Sequence, residues 1–255
     1  MTVTLSFQLD RIVTIEARPD TVFSFFTDSA RWARWWGAGS SVDPRPGGRV
    51  LIHHPNGVEV TGEILELTAP TRVVFTYGYV SGSPIPAGGS RVTIDLEEVP
   101  EGTRLHLTHE FAEGIPRDHH VQGWRYQLAL FANVVADLVH ADAPRAIDIW
   151  FEAWNTTDPG VRVDVLERVA ARDLQFRDRY GLTHGVEEMA GHLAAVHQFM
   201  PGMTLARTGD VRQCQGRALS DWVATGSDGA ARGRGTNAFA FDADGKIREV
   251  VGFWS

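Results

Sequence analysis

The amino-acid sequence predicts an α+β chain in two units, one over residues 1–142 and one over 145–255. Two observations carry that division. Strand-like segments with period-two alternation run through the first part and end in one long amphipathic helix. After Ala141-Asp142-Ala143-Pro144 the order changes to helix, helix, strand, helix and four closing strands. A chain of 255 residues is long enough to bury two cores.

The first unit opens with a strand from about Leu5 to Ala17. Pro19 fits the first turn of a helix, where its missing N–H costs nothing, and Val22, Phe23 and Phe26 fall on one helical face. A second short helix, about Ala30 to Trp36, stops at Gly37, and Pro46-Gly47-Gly48 turns the chain. Strands then follow in meander order over Arg49–His54, Val58–Leu67, Arg72–Tyr79, Arg91–Glu98 and Thr103–Phe111. Pro55-Asn56-Gly57, Ala69-Pro70-Thr71, the loop Ser81–Ser90 and Pro100-Glu101-Gly102 separate them. Alternation assigns the faces: Val92, Ile94 and Leu96 share one, as do Leu105, Leu107 and His109. From about Pro116 to His140, apolar residues Val121, Trp124, Leu128, Phe131, Val135 and Leu138 recur at three and four, the period of a helix with one buried stripe. Such a helix laid across a curved antiparallel sheet buries both apolar faces.

In the second unit, Ile149, Trp150, Ala153 and Trp154 give helix Arg145–Asn155 its apolar face. Asp158-Pro159 reads as N-cap and first helical residue of a helix reaching about Ala170. A strand Leu174–Tyr180, a helix Val186–Met200 ended by Pro201-Gly202, and strands Thr204–Gln213, Arg217–Thr225, Ala231–Phe241 and Lys246–Trp254 complete it. Three helices packed into a bent antiparallel sheet form the expected cone.

Composition narrows the function. The net charge of −8 and the lack of a basic patch argue against nucleic acid as partner. A single cysteine, Cys214, excludes an internal disulfide framework and suits a reducing, cytoplasmic setting. No apolar run approaches the ~20 residues of a membrane span, so no membrane partner is expected. Metal binding is not expected either. His192 and His197 stand about 140° apart around a helix, and His53-His54 and His119-His120 are adjacent pairs that diverge. Arg232-Gly233-Arg234-Gly235 has no following helix, so it is no phosphate loop, and no cofactor is expected.

Asp178 is the first candidate for chemistry. On an alternating strand it shares the inner face with Leu174 and Phe176, where a carboxylate would have a raised pKa and could act as general acid or base. The competing reading makes it a cap at the strand end. His184 just beyond could complete an acid–base pair. In the first unit, Tyr77, His109 and Trp124 are polar-tipped residues on otherwise apolar faces, as a ligand cavity would use them, and Trp36 stands at its mouth. Trp222 and Trp254 line or plug the cone, with Tyr180 at the strand end.

Trp35-Trp36-Gly37, Pro46-Gly47-Gly48, Gly62, Gly102-Thr103, Thr108-His109 and Gly123-Trp124 in their order resemble the START-like SRPBCC helix-grip superfamily, in the branch of the heat-shock-protein ATPase activator homologues. Trp154-Asn155, Phe176-Arg177-Asp178, Gly185, Trp222, Gly235-x-Asn237 and Asp244-Gly245-Lys246-Ile247 resemble the SnoaL-like, nuclear transport factor 2-like cones. These resemblances imply pockets for a small apolar or polyketide-like molecule, with cyclase, isomerase or dehydratase chemistry resting on Asp178 and His184. They imply as an alternative a co-chaperone-like ATPase activator or interaction module, and a homodimer through the cone's exposed sheet. The cone resemblance also places Asn237 where many such enzymes carry an aspartate; an amide there can hold a polar group but cannot transfer a proton.

Overall fold

The computed structural model describes residues 4–255, which divide into two compact units meeting at Ala136 and Asp137. In the first unit β1 (Phe7–Ile15) leads into α1 (Pro19–Ser24) and α2 (Ser29–Trp36). Six strands follow: β2 (Ser41–Val42), β3 (Arg49–His53), β4 (Glu59–Thr68), β5 (Arg72–Tyr79), β6 (Ser90–Val99) and β7 (Gly102–Phe111), then α3 (Gly114–Val139). They form one antiparallel sheet in the order β1-β7-β6-β5-β4-β3-β2. The two-residue β2 was not expected, because so short a segment has no alternation to read.

Local chemistry sets the ends of these elements. Asp28 accepts from the Arg31 N–H at 3.0 Å and so caps α2. Gly37 ends that helix at φ +138°, and a Cβ there would stand 2.2 Å from the His53 carbonyl oxygen, so only glycine fits. The two short helices then fold their aromatics into one core with α3. The Phe131 ring lies 4.7 Å from that of Trp35 and 5.2 Å from that of Phe26, and Trp32 donates to the Leu51 carbonyl at 3.1 Å.

The second unit contains α4 (Ala143–Asn155), α5 (Pro159–Val169), β8 (Ala170–Arg177), β9 (Leu182–His184), α6 (Gly185–Phe199), β10 (Thr204–Cys214), β11 (Arg217–Thr225), β12 (Ala231–Phe241) and β13 (Ile247–Trp254). Its six-stranded sheet runs β10-β11-β12-β13-β8-β9, and one pair departs from the expected antiparallel pattern: β13 and β8 run parallel. The strand expected over Leu174–Tyr180 begins earlier and ends at Arg177, and the short β9 folds back on it, pairing Arg177 with Leu182. Trp150, Trp154, Phe176, Met189, Leu193 and Phe239 belong to its continuous buried core. Gly235 is required by close approach: a Cβ would meet the Phe253 carbonyl oxygen at 2.1 Å and the Trp222 ring at 2.5 Å.

One charge is buried in this unit. Arg162 on α5 is 2% exposed, and its guanidinium donates to the carbonyls of Thr156 at 2.9 Å, Thr157 at 3.0 Å and Ala190 at 3.2 Å. It ties the α4–α5 loop to α6 through three carbonyl acceptors. Replacing it removes three charge-assisted hydrogen bonds from a buried position. Arg162→Met is expected to lower unfolding free energy by about 2–4 kcal/mol. Arg168→Met, which removes only an exposed ion pair to Glu152, should change it by less than about 0.5 kcal/mol. Denaturant titration of both variants decides this, and comparable losses would refute the role given to Arg162.

Candidate functional site

The first unit holds a partly open cavity of about 450 Å³ between α2, α3, β5 and the turn at residues 54–58 that joins β3 to β4. Trp35, Trp36, His54, Tyr77, Tyr79, His120, Trp124, Gln127 and Leu130 contribute to its walls, and its lining includes no Asp, Glu, Lys or Arg. The volume falls in the range of small-molecule pockets, and the wall is aromatic with a few polar tips.

Helical spacing explains one wall. His120, Trp124, Gln127 and Phe131 follow one another at four, three and four along α3, so all four face inward. Gln127 reaches across and donates to the Trp35 carbonyl at the end of α2. Strand alternation explains the other wall, since Tyr77 and Tyr79 are two apart on β5 and point the same way.

Two hydrogen-bond chains organise these groups. In the first, the Trp124 indole N–H donates to His109 Nδ1 at 2.9 Å. An indole nitrogen can only donate, so Nδ1 is the acceptor and His109 Nε2 carries the proton. Nε2 then donates to Ser90 Oγ at 2.9 Å, and Ser90 donates to the Tyr77 carbonyl at 2.8 Å. Both ring nitrogens are thus spent, and burial, with His120 nearby, holds His109 well below the ordinary histidine value.

The second chain starts at His120. Its Nδ1 lies 2.7 Å from the Pro116 carbonyl, which only accepts, so Nδ1 bears the hydrogen and Nε2 is left to accept. Tyr79 donates to Nε2 at 3.1 Å. Burial, opposed by the Pro116 carbonyl and reinforced by His119, lowers His120. Burial and the nearby His120 lower His54. Burial also raises both tyrosines, Tyr77 strongly. Every titratable group of these two chains is therefore held neutral. The indole N–H groups of Trp35 and Trp36 are buried with no partner among the described residues.

Of the residues expected from sequence, Trp36, Tyr77 and Trp124 line this cavity, whereas His109 stands behind Trp124 as its fully buried support. His54, Tyr79, His120 and Gln127 were missed. Three of the four carried a signal: His120 and Gln127 sit on the α3 stripe, and Tyr79 repeats Tyr77 on the strand. His54 follows the end of β3 and carried none.

In the second unit the expected pair is placed apart in role. Asp178 lies one residue past β8. Its Oδ1 accepts the N–H groups of Tyr180 and Gly181, each at 2.7 Å, and its Oδ2 accepts the Trp254 indole N–H at 3.2 Å. This is a turn cap. His184 is exposed at the head of α6, with its backbone N–H bonded to Glu188 at 2.8 Å. The histidine that feels the Asp178 charge is His192, lowered by burial while Asp178 opposes that shift. Asn237 is buried, and Asn237 Oδ1 and Asp178 Cβ both flank Gly252. Trp222 packs at 4.8 Å on Trp254, against which the exposed Tyr180 stands at 5.1 Å. Among the described residues no group of three or more His, Cys, Asp or Glu is placed to hold a metal ion, and no helix is long and apolar enough to cross a membrane.

Residues 16–136 match the family model described as Activator of Hsp90 ATPase homolog 1-like protein, and residues 147–250 match that of the SnoaL-like domain. The chain carries an AHSA1-like unit followed by a SnoaL-like unit. Similar solved structures include the AHSA1-like protein RHE_CH02687 of Rhizobium etli, 32% identical over 53% of this chain and 86% of that one, with a TM-score of 0.44. The Aha1 dimer from Colwellia psychrerythraea is 18% identical over 48% of this chain and 91% of its own, TM-score 0.43. A SnoaL-like family protein from Agrobacterium tumefaciens is 22% identical over 46% of this chain and 98% of its own, TM-score 0.43. Among curated proteins none matches. The two families support a ligand-binding or isomerase-type function in general.

The neutral histidines give stability a pH dependence of definite sign. His109, His120, His54 and His192 all have folded values below the unfolded value of about 6.5. Below that value the unfolded chain binds more protons, so stability is full above it and is lost as pH falls toward the folded values. Thermal unfolding midpoints should therefore drop from about pH 7.5 to about pH 5.5. The drop should be smaller in His109→Gln, whatever that variant's absolute stability; an equal drop would show that His109 is not part of the dependence.

Proposed function

We propose that the first unit binds a small, uncharged, largely aromatic or polyketide-like molecule in its cavity. One observation carries the reading: a wall of indole, phenol and imidazole groups lines about 450 Å³ without an Asp, Glu, Lys or Arg side chain. Burying an ion there would leave it without a counter-charge, which is costly, whereas flat apolar surface is stabilised by about 25 cal/mol per Å² removed from water. Trp36 and Trp124, with ring centroids 5.7 Å apart and edge to face, offer faces on which a planar ligand can pack.

The acid–base reading of the second unit finds less support. Asp178 is engaged by three donors, and a carboxylate so occupied serves the turn before it serves a substrate. The ligand-binding reading therefore rests on the first unit.

Naphthalene is a suitable first probe, being planar and uncharged. Titration into the protein should quench the fluorescence of the cavity tryptophans and saturate. Val58 lines the cavity, and Val58→Trp should fill part of it and weaken binding at least tenfold while the far-ultraviolet circular dichroism stays unchanged. Saturable binding that Val58→Trp leaves intact would place the ligand elsewhere, and no binding at all would defeat the proposal.

A further inference from the structure

We infer that the cavity is also a proton-transfer site. Tyr79, relayed by His120, takes a proton from the carbon beside a ligand's carbonyl group, and His54 receives the carbonyl oxygen. Its substrates are uncharged planar ketones with an acidic C–H next to the carbonyl, which it interconverts with their enols. The inference rests on the ligand-binding reading above and adds a reaction to it.

The Pro116 carbonyl can only accept, and it lies 2.7 Å from His120 Nδ1. Nδ1 therefore carries the hydrogen, and Nε2 presents its lone pair to the Tyr79 hydroxyl 3.1 Å away. Tyr79 and His120 both line the cavity. A phenol bonded in this way to an imidazole base can accept a proton at its oxygen while passing its own to the ring. No tyrosinate has to form, which matters because burial raises Tyr79. The imidazole that gains the proton already points its N–H at the Pro116 carbonyl, and that bond strengthens as the ring becomes a cation.

His54 supplies the other half. Tyr79 on β5 stands opposite Val60 on β4, and Val60 opposite Ile52 on β3, two residues before His54. Two strand spacings, about 10 Å, thus separate the strands that carry the two groups. Both groups line the cavity, so a flat ring system fits between them. The His54 ring lies edge to face with Trp36 at 5.6 Å and has no hydrogen bond among the described residues. Burial keeps both imidazoles below the ordinary histidine value, so at neutral pH each is uncharged and His54 has one N–H to give.

In the reaction the C–H bond beside the carbonyl breaks, and its electron pair becomes the C=C bond of an enolate whose oxygen accepts from His54. The proton passes to the Tyr79 oxygen, and the Tyr79 proton passes to His120 Nε2. The two charges formed, enolate and imidazolium, compensate each other, as a lining without Asp, Glu, Lys or Arg requires. A proton returned to carbon restores the ketone, and one returned to oxygen gives the enol. Composition and oxidation state stay the same, so no co-reactant is needed.

The probe is 2-tetralone, a ketone about the size of naphthalene with a benzylic C–H beside its carbonyl. In heavy water, proton magnetic resonance reads the replacement of that hydrogen by deuterium. The protein should speed the exchange above the buffer rate, with saturation in ketone and competition by naphthalene. Tyr79→Phe and His54→Phe should each lower kcat at least about tenfold. His120→Gln should do the same with KM within about threefold, the pattern of a group that acts in the transition state. Naphthalene affinity within about threefold in all three variants would show the cavity intact. If naphthalene binds but exchange stays at the buffer rate, the inference falls and the ligand-binding reading survives. If exchange persists unchanged in Tyr79→Phe, the proton is taken elsewhere and the inference also falls. If every variant loses exchange and naphthalene affinity together, the three residues are structural and the inference is overturned. If naphthalene does not bind the unaltered protein, the failure belongs to the ligand-binding reading itself.

Discussion

The hydrogen bond from the Trp124 indole to His109 decides how the first unit is built. It crosses from α3 to β7, and because an indole can only donate, it fixes the histidine tautomer. That choice makes His109 donate to Ser90 on β6, and Ser90 donate to the Tyr77 carbonyl on β5. One run of bonds thus laces the long helix to three adjacent strands. It also locks two cavity residues at once: Trp124 by its ring nitrogen and Tyr77 by its backbone. His109 has therefore a structural task, and its burial is compatible with that task only while it stays neutral.

The cavity begins where α3 changes character. Around Phe131 the inward groups are purely apolar and meet the rings of Trp35 and Phe26 without a gap. Toward the helix start, His120, Trp124 and Gln127 take the same positions with polar tips. Those tips reach partners at the margins, namely Tyr79, His109 and the Trp35 carbonyl. Collapsing the space would pull them off those partners, at a cost of about 1–3 kcal/mol for each polar group orphaned. The open volume is thus maintained by polar satisfaction at its edges, with close packing only behind it.

Much of this was legible in the sequence. Alternation and turn chemistry located the strands of both units to within a few residues, and the 3.6-residue period located α3. The same period contained His120 and Gln127, but a rule that looks for apolar residues passes over polar ones on the stripe. Hydrogen-bond direction was not legible at all, because it depends on a carbonyl four residues back and on strands far apart in sequence. The parallel pairing of β8 with β13 was equally hidden, since alternation gives a face and not a partner.

Asp178 shows how turn chemistry overrides strand period. Asp178-Arg179-Tyr180-Gly181 has an aspartate at the first position and glycine at the fourth, the composition of a tight turn. The chain uses it so. The Asp178 N–H donates to the Gly181 carbonyl at 2.9 Å while its carboxylate gathers the N–H groups of Tyr180 and Gly181. The strand stops at Arg177, and β9 can return beside it. A carboxylate in that position is saturated with donors and closes a backbone turn. The polar groups of the first unit are its opposite: His120 and Tyr79 bond one another and both line a cavity. Polar tips spaced along an aromatic cavity wall are a stronger mark of a ligand than a carboxylate whose partners are all supplied by its own chain.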